Sequence, residues 1–249
     1  MPTASSSLAS LLEHTYLPPF PLPQGAALER ELERLCHEAE THGFKAVCVR
    51  PEHVLWVRQR LGSRSPIALV GVVGFPEKKV SAEDQAAYPV LGAVNSTTKL
   101  QEIMTLASMG ADEADVVLNV AFFKTDLEVE GTFTRQELEA LRTAAGDMPL
   151  KLIIETDVLS DAEIVAATAL CAATGMDYVK TCTGYVQQGR GATPQVVQLI
   201  QHTLVAHGAA EAVGIKASGG ITTAAQALAL AQAGATRLGS SKAPALCGA

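Results

Sequence analysis

Short β-branched runs alternate with longer helical patterns along the whole chain, and this alternation limits the fold more than any other feature. The strand-like runs are Lys45–Val49 (KAVCV), Ile67–Val73 (IALVGVV), Asp115–Val120 (DVVLNV), Leu150–Glu155 (LKLIIE), Tyr178–Thr181 (YVKT) and Val213–Ala217 (VGIKA). A shorter piece at Arg237–Gly239 (RLG) reads as a last strand, and a first strand must lie near Leu11–Thr15. Repeated strand–helix units of this length imply a parallel sheet. About eight of them imply an α/β fold of the (β/α)8 TIM-barrel type, with the 249 residues forming a single domain. An open doubly wound sheet is the alternative, weakened because no Gly-rich dinucleotide fingerprint follows the first strand. The stretch Glu77–Val90 (EKKVSAEDQAAYPV) breaks the rhythm and reads as a surface insertion.

The helices carry readable ends. Thr134 with Glu137 has the spacing of a capping box before ELEALRTAA, and Ser160 with Glu163 repeats it before IVAATALCAAT. Thr193 followed by Pro194 reads as an N-cap with proline at the first helical position. Gly43, Gly110, Gly146, Gly175, Gly208 and Gly234 each fall where a helix should stop.

Composition narrows the function. Hydrophobic residues make up 48% of the chain and aromatics only 4%, so Ala, Val and Leu fill a core of helices on a sheet. The net charge of -7, with no Lys/Arg cluster, excludes nucleic acid as a partner, although a local basic pocket for one small anion remains compatible. Five cysteines without a CxxC pair argue against a disulfide framework and for reduced thiols in the cytoplasm. Met1–Thr15 lacks the pattern of a signal peptide. The longest uncharged stretch, Ala217–Thr236, is too polar for a membrane span. His37 and His42 are five residues apart, which turns them to different sides of a helix and away from a shared metal. No metal, flavin, nicotinamide or other cofactor is expected.

In a barrel of this type the carboxyl ends of the strands form the active face. Asp115 opens the fourth run, Lys151 and Glu155 share one face of the fifth, and Lys180 and Lys216 lie near the ends of the sixth and seventh. A lysine inside a parallel strand is costly unless it is paired or used. Adjacent strands lie roughly 5 Å apart, and two ammonium groups at about that distance repel by roughly 3 kcal/mol at an effective dielectric near 20. That is enough to leave one of the two amines neutral, and a neutral amine is the nucleophile that forms an imine with a carbonyl. The competing reading pairs both lysines with Asp115 and Glu155 as salt bridges. Glycines add a second signal: Gly184 follows Lys180, Gly219 and Gly220 follow Lys216, and Gly239-Ser240-Ser241 ends the last strand. Free backbone N–H groups there suit a phosphate, with Thr222 or Thr223 capping the next helix.

These residues resemble deoxyribose-phosphate aldolase. The matching pieces are Glu13-His14-Thr15, Ala46–Pro51 (AVCVRP), Val73–Pro76 (VGFP), Gly110–Val120 (GADEADVVLNV), Lys151–Thr156 (KLIIET), Tyr178–Tyr185 (YVKTCTGY), Gly191–Pro194 (GATP) and Gly214–Ile221 (GIKASGGI), nearly end to end. The resemblance implies reversible cleavage of 2-deoxy-D-ribose 5-phosphate to acetaldehyde and D-glyceraldehyde 3-phosphate. It implies that Lys180 forms the imine, that Lys216 lowers the pKa of Lys180 and helps move protons, and that Asp115 relays protons. Cys48 would line the substrate pocket without acting as a nucleophile. Thr181, Gly184, Gly219, Gly220, Gly239, Ser240 and Ser241 would bind substrate, with a homodimer as the assembly. Departures are Glu13 for the commoner Asp, Pro18 for Lys, the added fourteen residues before Leu91-Gly92, Lys242 in place of a second serine, and a Cys247-Gly248-Ala249 terminus without the tyrosine of some members. The rival readings are a Schiff-base lyase of another aldehyde phosphate and a non-catalytic sugar-phosphate-binding paralogue.

Overall fold

Eight strands close into one parallel barrel in chain order: β1 (Leu12–Tyr16), β2 (Ala46–Val49), β3 (Ala68–Val73), β4 (Glu113–Val117), β5 (Leu150–Ile153), β6 (Tyr178–Lys180), β7 (Gly214–Ser218) and β8 (Arg237–Ser240). The computed structural model describes residues 8–79, 94–129 and 132–247. β8 closes on β1 through the register Leu12↔Leu238. Between the strands run α1 (Gly25–His42), α2 (Pro51–Leu61), α3 (Ser96–Ser108), α4 (Val120–Val129), α5 (Phe133–Ala145), α6 (Asp161–Ala173), α7 (Pro194–Ala206) and α8 (Ala224–Gln232), and the short α9 (Ala243–Leu246) follows β8. The (β/α)8 barrel read from the alternation is therefore the fold.

Strand periodicity separates two cores. Residues turned outward, such as Val47, Leu69, Leu152, Val179, Ile215 and Leu238, meet apolar helix faces at Leu32, Val57, Ile103, Leu138 and Ile200. Each such aliphatic side chain contributes about 1.5–3 kcal/mol on burial. Gly71 in β3 belongs to this fit: a Cβ there would meet Leu106 Cδ2 at 2.4 Å, so its absence lets α3 lie against the sheet. Residues turned inward form a smaller apolar half, Ala46, Cys48, Val70, Val72, Val117 and Ile153. The other half of the lumen is charged.

Most helix ends match expectation. Ser160 and Glu163 form their capping box, Thr193 caps α7 ahead of Pro194, and Thr223 caps α8 in a box with Gln226. The six glycines at helix ends all have positive φ. Three expectations are corrected. α5 starts at Phe133 with Thr132 as N-cap, so Thr134 and Glu137 form no box. Thr134 N–H donates to Asp126 instead, and Glu137 is drawn to the buried Lys99. β4 starts at Glu113, which places Asp115 in mid-strand rather than at its opening. β5 ends at Ile153, and Glu155 lies beyond it at φ 58°, so it shares no strand face with Lys151. Of the expected insertion 77–90, Glu77–Lys79 is described; the rest, with Leu91-Gly92, lies outside the described residues.

Candidate active site

Seven ionisable side chains from six strands meet inside the barrel. β1 supplies Glu13, β4 Glu113 and Asp115, β5 Lys151, β6 Lys180, β7 Lys216 and β8 Arg237. Register brings them together: Lys180 stands directly beside Lys216, Asp115 beside Lys151, and Lys216 beside Arg237. Asp115 is the hub. Its Oδ2 accepts from Lys180 Nζ at 2.7 Å and Lys216 Nζ at 2.6 Å, and its Oδ1 accepts from Lys151 Nζ at 3.1 Å. Lys216 also donates to Glu13. Lys151 is ion-paired with Glu113 at 2.6 Å and Glu13 at 3.8 Å, and Arg237 bridges Glu13 and Glu113 at 3.4 and 3.1 Å. The Tyr178 ring lies under Lys151 and Arg237.

This arrangement decides several charges. Burial alone would raise the Asp115 carboxyl, but Lys151, Lys180 and Lys216 outweigh it and hold the group well below the usual carboxylate range. Burial works against the Lys216 ammonium, and Asp115 and Glu13 more than reverse this, so Lys216 stays cationic far above neutral pH. Lys151 is raised in the same way, chiefly by Asp115. The expected interior cation beside Lys180 is therefore present, but both lysines are also salt-bridged to Asp115. Glu155 is not their partner: it accepts from Thr183 N–H and O–H. Cys48 Sγ sits 3.9 Å from Asp115 Oδ2, and burial pushes its thiol up to about 11, which leaves it protonated.

Above this network opens a cavity of about 290 Å³. Lys180 is at its base, the amine of the network that lines it. Gly184, Gly219, Gly220, Gly239, Ser240 and Ser241 also line it, joined by Thr15, Leu17, Lys79, Thr183, Tyr185, Thr222 and Lys242. Asp115, Lys216 and Cys48 lie beneath, not on the wall. Thr181 is buried too: its hydroxyl donates to Ser218 O and accepts from Ser218 N–H, which ties β6 to β7. The Ser240 hydroxyl is engaged with Ile221 O and Lys242 N–H. Glycine is required where these loops touch, since a Cβ on Gly191 would meet Gly219 O at 2.5 Å.

Arg50 pins the mouth. It is buried, donates to Pro18 O at 2.7 Å, Pro76 O at 2.8 Å and Tyr185 Oη at 3.1 Å, and packs over the rings of Phe20, Phe75 and Tyr185. Tyr185 O–H in turn donates to Leu17 O. Three loops at the rim are thus fastened together. Sequence reasoning passed over Glu113 and Arg237 and used Glu13 only as part of a matching motif. Glu113 and Arg237 each stand two residues before a residue already singled out, Asp115 or Gly239, so period-two counting along a strand would have found them.

Glu155, Asp157 and Cys182 bring three donor atoms within 4.8 Å of one another. Each is already engaged, with Thr183, Gly191 N–H and Thr156 respectively, so the group reads as a brace under the loop. Among the described residues no helix is long and apolar enough to cross a membrane.

Comparison with known proteins agrees with this architecture. A family model described as DeoC/LacD family aldolase matches residues 22–247. "Deoxyribose-phosphate aldolase 2" of Staphylococcus aureus is 36% identical over 94% of this chain and 92% of its own length. The deoxyribose-phosphate aldolase of a Cyanothece strain is 37% identical over 97% and 91%. Among solved structures, a putative deoxyribose-phosphate aldolase from Coccidioides immitis superposes with a TM-score of 0.83 at 31% identity, covering 99% of this chain and 86% of that one. With a matching family model, relatives above one-third identity and a lysine-centred barrel site, the chain belongs to the DeoC/LacD family of aldolases, which are carbon–carbon lyases.

Proposed function

We propose that this aldolase cleaves 2-deoxy-D-ribose 5-phosphate reversibly to acetaldehyde and D-glyceraldehyde 3-phosphate through a Schiff base on Lys180, as a step of deoxyribonucleotide catabolism. The observation that carries the reading is the unequal partnering of the amines. With every group ionised, the network holds four cations (Lys151, Lys180, Lys216, Arg237) and three carboxylates (Glu13, Glu113, Asp115). Losing one proton brings it to neutrality. Lys180 contacts one carboxylate, whereas Lys216 contacts two and Lys151 three. Releasing the proton from Lys180 therefore costs the fewest ion pairs, and it frees the amine that faces the cavity.

The steps follow from that. Lys180 Nζ attacks the open-chain C1 aldehyde, and loss of water leaves a protonated imine. The imine draws the electron pair of the C2–C3 bond as that bond breaks. The C3 hydroxyl gives its proton, through the water released on imine formation, to Asp115, and C3 becomes the aldehyde of glyceraldehyde 3-phosphate. The enamine takes a proton at C2, and water releases acetaldehyde. Asp115 holds both amines in register and passes protons between them; its base strength grows when the Lys180 ammonium proton leaves. Lys216 is cationic at rest; it lends a proton to Asp115 and regains it within each cycle, and its charge otherwise steadies that carboxylate. The glycine-lined wall at Gly219 and Gly220 offers backbone N–H groups to the phosphate.

Borohydride reduction in the presence of acetaldehyde tests this. The expected product is a stable two-carbon adduct on Lys180, located by peptide mass mapping, and Lys180→Met should abolish it. An adduct elsewhere, or none on Lys180, would overturn the assignment. Competition between deoxyribose 5-phosphate and other aldehyde phosphates for trapping tests the substrate.

A further inference from the structure

The cavity is cationic within an acidic chain. The protein carries a net charge of -7, yet the described residues lining the cavity include Lys79, Lys180 and Lys242 and no Asp or Glu. Lys180 is bound to Asp115, whereas neither Lys79 nor Lys242 has an ion-pair partner among the described residues. Two ammonium groups on one small cavity repel each other unless an anion lies between them.

Their backbones are held in place although their side chains are exposed. The segment before Lys79 is fastened twice: Arg50 donates to Pro76 O at 2.8 Å, and Phe20 N–H donates to Glu77 O at 2.9 Å. Lys242 N–H donates to Ser240 Oγ at 2.9 Å, at the start of α9. One lysine thus comes from the β3 loop and the other from the β8 loop, and Thr15 of β1 and Leu17 just past it line the same cavity.

A phosphomonoester is largely dianionic at neutral pH. The other groups on the wall do not match that charge. The amides of Gly219 and Gly220 supply partial charge, the Ser240 hydroxyl is engaged, and the Tyr185 hydroxyl is bound between Leu17 O and Arg50. Lys180 is consumed by the imine. We infer that Lys79 and Lys242 form a two-lysine clamp that determines specificity for a substrate ending in a phosphate dianion. This rests on the proposed cleavage of a phosphorylated sugar and names the residues that select it.

The test compares Lys79→Gln, Lys242→Gln and the double variant with the parent. The readouts are the ratio of kcat/KM for 2-deoxyribose 5-phosphate to that for 2-deoxyribose, and the binding of inorganic phosphate by calorimetry. A charge-assisted contact of ordinary strength gives about a tenfold fall in the ratio for each single variant and roughly a hundredfold fall for the double. Phosphate affinity should fall in parallel, and Lys79→Arg and Lys242→Arg should keep both readouts within about threefold of the parent. A double variant whose ratio and phosphate affinity stay within about threefold of the parent overturns the clamp. Because phosphate binding needs no imine, calorimetry reports on the clamp even if borohydride trapping at Lys180 were to fail.

Discussion

Lys99 in the helical layer and Lys216 in the barrel lumen are both fully buried, and their surroundings push them in opposite directions. Lys99 reaches across from α3 to a single carboxylate, Glu137, at 3.1 Å. Burial outweighs that contact together with the more distant Glu102 carboxylate, and the Lys99 ammonium is pulled below its ordinary range. Lys216 is at least as buried, yet Asp115 and Glu13 together outweigh its burial and it is raised. The difference teaches that depth does not set the charge state of a lysine here; the number of carboxylates in direct contact with it does. Lys180 belongs with neither, since it has one carboxylate like Lys99 but sits within a network that carries one cation too many.

The largest expected effect breaks the lumen side of this comparison. Lys216→Leu removes the cation that Asp115 shares with Lys180 and strands part of Glu13. We expect kcat/KM to fall by roughly 10³–10⁴-fold, and Lys216→Leu/Asp115→Leu to regain none of it, because both groups move protons. Borohydride trapping by each variant, alongside steady-state rates, checks this. A double variant faster than Lys216→Leu would mean that the network is only structural.

A smaller effect is expected from the isolated pair. Lys99→Met leaves the Glu137 carboxylate buried beside Ser96, at a cost of about 3–5 kcal/mol in unfolding free energy. Lys99→Met/Glu137→Leu should recover most of that, since two apolar side chains satisfy the site without desolvating charge. Denaturant unfolding measures both, with kcat/KM of the variants within about twofold of the parent. If the double variant were no more stable than the single, the pair would be behaving like the lumen network and the contrast would fail.

Legibility in the sequence follows the same division. The outer core announces itself, because Leu, Val and Ile at strand and helix spacing have no other use; six strands could be read from it, while β1 was placed only by the need for a first strand and β8 from a three-residue piece. Lys180, Lys216 and Asp115 stood out as charges inside apolar runs, and the structure joins them on one carboxylate oxygen. Glu113 was hidden because it lies at the edge of its run and looks like a helix-to-strand turn. Arg237 was hidden because its strand is four residues long. Their partners come from strands distant in sequence: Glu13 and Lys216 are 203 residues apart. Only barrel closure makes them neighbours. Thr134 and Glu137 misled for the complementary reason: the local capping pattern was present, and a distant lysine took the carboxylate.

Glu155 extends the comparison to a buried group with no ion-pair partner among the described residues. It sits just past β5 in a left-handed conformation, and its carboxylate accepts from the backbone N–H and the hydroxyl of Thr183. Burial raises its pKa from 4.5 to about 7. Between those values the folded protein keeps a proton that the unfolded chain releases, so stability is full below about 4.5 and declines as pH rises towards 7. The loss across that window is about 3 kcal/mol. Glu155→Gln cannot ionise and keeps an oxygen to accept from Thr183, so its stability should stay flatter with pH. The variant should match the parent near pH 5 and exceed it above pH 7. Urea unfolding at several pH values checks this, and parallel profiles for the two proteins would show that Glu155 is ionised in the folded state throughout. That outcome would require a cation that compensates for its burial, as Lys99 does for Glu137 and as the lysines of the lumen do for Asp115.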